Sequence, residues 1–124
     1  MWLVVVFWVA VVTIAVLMIA SRRRDRRWER ELNAAAEVIQ DLVDAEFEKC
    51  GGTPDKGSAL DQAGLRDGAT IISEHLVHHQ HDLAVAHLVY MIHETGIAVP
   101  VETGDFIRAM AEGFGIDESG EHAK

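Results

Sequence analysis

Nineteen of the first 20 residues are apolar, with Thr13 the one exception, and no other feature of the chain restricts its fold so strongly. At about 1.5 Å of rise per helical residue, a stretch of this length covers about 30 Å, the thickness of a bilayer's hydrocarbon core. Residues 1–20 are therefore predicted to form a transmembrane helix. A cleaved signal peptide would place its basic residues ahead of the apolar run and follow the run with small residues at a cleavage site. Here the run begins at Trp2, and Arg22, Arg23, Arg24, Arg26 and Arg27 all come after it. The expectation is a single-pass, uncleaved anchor in the cell inner membrane. Its N-terminus would lie outside and everything after Ser21 in the cytosol, because basic residues stay on the cytoplasmic side. Lipid contact is expected through residues 1–28, with the five arginines and Trp28 at the membrane interface.

Composition matters chiefly for the chain beyond the anchor. The other 104 residues hold 42 apolar side chains, enough for one small domain and too few for a two-domain enzyme. Charge divides the chain in the same way. Residues 1–30 carry six arginines against Asp25 and Glu29, whereas residues 31–124 carry five basic side chains against eighteen acidic ones, a net −13. An acidic body of this kind excludes nucleic acid as a partner and suits a basic protein. Cys50 is the only cysteine, so no intrachain disulfide can form.

From Trp28 the apolar residues Leu32, Ala35, Ala36, Ile39, Val43 and Phe47 recur at spacings of three and four, which is one stripe of an amphipathic helix. Residues 21–50 therefore read as a basic neck and stalk helix. Its stripe is to be covered either by later helices of the same chain or by its own copy in a homodimer. Residues 51–58, with three glycines and a proline, read as a linker. Residues 59–116 read as three short helices. The first runs from Leu60 to His79 with Leu65, Ile72 and Leu76 inward. The second, Leu83 to Thr95, is capped by Asp82, apolar nearly all round and ended by Gly96. The third carries Phe106, Ile107, Met110 and Phe114 inward and is closed by Gly115. Residues 117–124 are expected to fray as a flexible tail. The predicted fold class is all-α: a transmembrane helix, an amphipathic stalk helix and a small three-helix bundle.

Few residues carry chemistry. His75, His78 and His79 would share a helix face three and four apart, but no His-Glu-x-x-His and no cysteine pair accompanies them, so solvated histidines are expected rather than a metal site. His87, in the apolar helix, reads as a hydrogen-bonded core residue. Cys50 has no histidine near it in sequence, and no Gly-x-x-x-x-Gly-Lys is present, so neither catalysis nor a cofactor is expected.

The segment Asp82–Ile97 (DLAVAHLVYMIHETGI), with a short extended link after it and then a helix ending in Gly113-Phe-Gly-Ile-Asp117, resembles the MafI-type immunity proteins of bacterial polymorphic toxin systems. Leu83, Ala84, His87, Leu88, Glu94 and Ile97 carry the resemblance, which covers roughly Leu60–Ile116. It implies a non-catalytic protein that binds and neutralises a cognate toxin. The expected contact residues are exposed carboxylates around the second and third helices, Asp82, Glu94, Glu102, Asp105 and Glu112, with Tyr90 as an aromatic anchor. A membrane-tethered helical scaffold that dimerises through the stalk and recruits a cytosolic partner is the alternative from another class.

Overall fold

The computed structural model describes residues 1–122. The chain is all-α, with α1 at Trp2–Lys49, α2 at Gly68–Val77, α3 at His81–Thr95 and α4 at Val101–Phe114. Among the described residues the sole β-type pairing is an isolated bridge between Ile116 and His122. The chain divides into two compact units, Met1–Glu31 and Leu32–Lys124.

In the first unit the segment predicted to cross the membrane and the basic neck belong to one helix, because no glycine or proline occurs between Trp2 and Lys49 to interrupt it. The helix is long and apolar enough to cross a membrane. Thr13, the one polar residue of the run, turns its hydroxyl back to donate to the Val9 carbonyl at 2.8 Å, so it presents no unsatisfied group to an apolar surrounding. Arg22, Arg23, Arg24, Arg26 and Arg27 are all exposed, and Arg27 meets Glu31 at 3.2 Å one turn on.

The second unit starts inside α1. Leu32, Ala35, Ala36, Ile39, Val43 and Phe47 are all buried, so the stripe is covered within the chain, the first of the two ways the sequence allowed. Leu32, Ile39 and Val43 are wholly inaccessible, and each contributes about 1.5–3 kcal/mol by burial. The compact boundary thus falls between Glu31 and Leu32 and not in the glycine segment 51–58. That segment serves as the exit from α1: Gly51 and Gly52 take φ of 75° and 82°, and the Gly52 amide donates to the Phe47 carbonyl at 2.8 Å.

The helix expected from Leu60 to His79 is shorter at both ends. Gly64, with φ of 84°, puts the backbone in the left-handed region, and residues 58–67 form successive turns before α2 starts at Gly68. Leu65 is nevertheless fully buried, as is Ile72 in the helix, and Leu76 is buried beside them in the core. At the other end His79 adopts φ of 57°. The His79 amide donates to the Leu76 carbonyl at 3.1 Å and the Gln80 amide to that of His75 at 2.8 Å, a Schellman closure that stops α2 after Val77.

α3 is the central element, packed on both α2 and α4 and burying Ala84, Val85, Leu88, Val89 and Met91. Gly68 lies so close to it that an added Cβ would collide with the Met91 side chain. Asp82 does not cap α3. Gln80 occupies the N-cap, and Asp82 sits in the first turn, where its charge still suits the helix dipole. Gly96 ends α3 with φ of 64° and Gly115 ends α4 with φ of 67°, both at the expected positions. α4 buries Ile107 and Ala111, while Phe106, Met110 and Phe114 are half-buried.

Residues 117–122, within the stretch expected to fray, form a hydrogen-bonded turn. Asp117 Oδ1 accepts from the Ser119 hydroxyl at 2.6 Å, the Ser119 amide at 2.9 Å and the Glu121 amide at 3.0 Å, and the Asp117 amide donates to the Glu121 carbonyl at 2.7 Å. This turn lies against α3, where a Cβ on Gly120 would stand 2.6 Å from the Ala86 carbonyl oxygen. The remainder of the expected tail, residues 123 and 124, lies outside the described residues.

Candidate functional site

Two polar side chains, one from α1 and one from α3, tie those helices to the turns that lead into α2. Gln40 reaches from α1 to the start of α2: its Nε2 donates to the Leu65 carbonyl at 3.0 Å and its Oε1 accepts from the Ala69 amide at 2.8 Å. Asp67, the N-cap of α2, makes no side-chain cap bond, so Gln40 supplies the cap from 29 residues away. His87 shares a hydrogen with the Gly64 carbonyl across 2.8 Å; with a carbonyl as acceptor, the ring nitrogen Nε2 must donate. The hydrogen bond expected of His87 is present, but the ring is half-buried and does not lie in the core. Phe47 is covered by Arg66, whose guanidinium carbon stands 4.3 Å from the ring centre.

The six predicted contact residues separate into distinct places. Tyr90 and Glu94 face the turns of residues 62–64. The Tyr90 hydroxyl donates to the Ala63 carbonyl at 3.0 Å and lies 3.3 Å from Gln62 Oε1, while Gln62 Nε2 donates to Glu94 Oε2 at 2.8 Å. Burial, and secondarily the Glu94 charge, raise the Tyr90 pKa above the ordinary phenol value. Both side chains are thus engaged within the chain, and Tyr90 is not presented as a free aromatic anchor. Asp82 stands 3.5 Å from His122 Nε2 of the terminal turn. Glu102 is exposed in the first turn of α4.

Asp105 and Glu112, by contrast, line a groove of about 710 Å³ along α3 and α4. Its floor is apolar, with Val89 and Ile92 from α3, Val99 from the link, Ile107 and Ala111 from α4, and Ile116 beyond it, while Val101 stands exposed at one edge. Its rim carries four carboxylates, Asp105, Glu112, Asp117 and Glu118, against His93 and Arg108. Arg108 Nη1 is already paired with Asp105 at 3.3 Å. The hydrogen bond from the Ser119 hydroxyl, with main-chain amides of the turn, holds the Asp117 carboxyl below the usual carboxylate range. The groove offers apolar contact and negative charge.

Asp117 and Glu118 are site residues that the sequence reading missed, because both fall in the stretch expected to fray. The signal was present: an aspartate with Ser119-Gly120 shortly after it is a side-chain-bonded turn with a left-handed glycine, here at φ of 91°. The histidine run departs from the shared helix face that its spacing suggested. α2 ends at Val77, His75 Nδ1 lies 3.0 Å from Gln80 Oε1, His78 is the C-cap and His79 turns into the left-handed region, so the run is not carried on one continuous helix. Cys50 is exposed at the end of α1, its thiol directed to the Phe47 carbonyl at 3.2 Å.

The described residues thus comprise a helix long and apolar enough to cross a membrane and, from Leu32, a small acidic all-α unit that carries the groove. Compared with protein-family models, curated proteins and solved structures, the chain matches none.

Proposed function

We propose that this chain is a membrane-anchored immunity protein, which binds a basic protein toxin and neutralises it by covering its functional surface. The observation that carries the reading is the groove between α3 and α4, apolar at its floor and rimmed by four carboxylates on a unit of strong negative charge. Many toxins act on nucleic acid and present basic clefts. An acidic surface is steered to such a cleft and obstructs it without doing any chemistry. The resemblance of Leu60–Ile116 to MafI-type immunity proteins supports the same reading. The scaffold alternative depends on the α1 stripe pairing with its copy, and that stripe is already spent in the core.

In this reading residues 1–20 span the inner membrane, the arginine neck meets the anionic inner leaflet, and the acidic unit faces the cytosol. Anchoring raises its effective concentration where an incoming toxin emerges. The test is co-expression of the full chain with the product of an adjacent toxin-like reading frame. Protection of the cells together with co-purification of the two proteins is the expected result, and toxicity undiminished by a well-expressed full chain overturns the proposal. Protease treatment of intact spheroplasts tests the orientation, since digestion of the acidic unit would place it in the periplasm.

A further inference from the structure

We propose that the α3–α4 groove receives an amphipathic helix of the protein partner, with apolar side chains laid on its floor and Lys or Arg along its edges. This deepens the sequestration reading and rests on it. The shape argues for a helix. Six of the seven α4 residues that line the groove, Val101, Gly104, Asp105, Arg108, Ala111 and Glu112, are spaced as one helical face with Ile107 beside it, and Val89, Ile92 and His93 form the matching face of α3. Two such faces side by side leave a furrow into which the side-chain ridge of a third helix packs. The 14 residues of α4 span about 21 Å, room for roughly four turns of a partner. Gly104 helps the approach, since the nearest atom to an added Cβ is 3.8 Å away and the position is otherwise open.

Charge selects the occupant. Asp105, Glu112, Asp117 and Glu118 face one guanidinium, itself engaged by Asp105, so the rim is negative on balance. A second copy of this unit would bring carboxylates against carboxylates, and a nucleic acid would bring phosphates against them; a helix edged with Lys or Arg meets the rim with opposite charge.

The experiment uses the full chain in lipid nanodiscs, with Ile and Val methyl groups observed by NMR. The probe is a synthetic Leu/Lys peptide of about four helical turns with leucines at helical spacing. A second peptide has the same composition shuffled so that no apolar face forms, and a third replaces Lys with Glu. The first peptide is expected to shift the methyls of Ile92, Val101 and Ile107 and the other two are not. Affinity should fall about tenfold in Val101→Lys and in the Asp105→Asn, Glu112→Gln pair. Val101 is 77% exposed, so its substitution leaves the fold intact, and an unchanged melting profile is the control. Equal binding of the shuffled or the Glu peptide, or shifts confined to another face, overturns the assignment. Protection in cells separates the two levels of the argument. If the full chain protects and Val101→Lys protects equally, the groove assignment fails while sequestration stands. If the unaltered chain does not protect but the Leu/Lys peptide binds in the groove, sequestration of a toxin fails while the helix-binding surface stands.

Discussion

Replacing Gln40 by Met keeps the length of the side chain and removes its bonds to two main-chain groups, the Leu65 carbonyl at 3.0 Å and the Ala69 amide at 2.8 Å. Both bonds are part-buried and join α1 to the segment that starts α2. A hydrogen bond of this kind contributes about 1 kcal/mol net, so the pair is worth about 2 kcal/mol. That is roughly a thirtyfold change in the folded to unfolded ratio, or about 10 °C in the melting temperature of a domain of this size. Urea or thermal unfolding of the full chain in detergent micelles, monitored by circular dichroism, measures the loss. Amide hydrogen exchange at Ala69 measures where it arises. Gln40→Glu provides the internal comparison: a carboxylate still accepts from the Ala69 amide but cannot donate to Leu65, nor to Asp44, which Gln40 Nε2 also bonds at 2.9 Å, so Ala69 stays protected while the stability loss persists. If Gln40→Met changes stability by less than about 0.5 kcal/mol and leaves Ala69 exchange unaltered, the remote cap is not holding α2 and the reasoning fails.

Three further perturbations probe the terminal turn and the two shifted titrations. Gly120→Ala must accommodate φ of 91° and a Cβ 2.6 Å from the Ala86 carbonyl oxygen, so the terminal turn should detach from α3, with exchange at the Glu121 amide rising and the groove losing its Asp117 wall. Tyr90 is the only tyrosine, so an alkaline titration of phenolate absorbance reads it alone; its midpoint should lie above the ordinary value and move down in Glu94→Gln, where one of the two causes is removed. Because the folded phenol titrates later than the unfolded one, this group's contribution to stability is complete below the ordinary phenol pKa and is lost as pH rises through the raised value. Asp117 behaves in the opposite sense: its folded carboxyl titrates below the unfolded one, so the turn is held at neutral pH and loosens as pH falls through the lowered value, which the Ser119 and Glu121 amide resonances would register.

Periodic features were legible in the sequence. All six stripe residues from Leu32 to Phe47 are buried, α3 is the central helix, and Gly96 and Gly115 take the left-handed caps assigned to them. These features arise from local spacing and from what only glycine does at little cost. What spacing could not show is that Leu65 reaches the core from a turn: a leucine seven residues before Ile72 suits a helix equally well, and only Gly64 marks the difference. The candidate site was half legible. Asp105 and Glu112 could be picked out as helical carboxylates, but whether Tyr90 faced solvent or the Ala63 carbonyl depended on a partner 27 residues earlier. Gln40 and Gln62 went unnoticed for the same reason, since an amide gains its role from what folds against it.

The remote cap has a bearing on the order in which the acidic unit can be assembled. α2 has 10 residues and no side-chain cap of its own, too short to persist alone in water. The glutamine that completes its first turn precedes it in the chain, so during synthesis the receiving surface leaves the ribosome before the segment it must receive. Severing the protein within residues 51–58 would separate the two. The released fragment would retain the residues of α2 and lack the amide that initiates it.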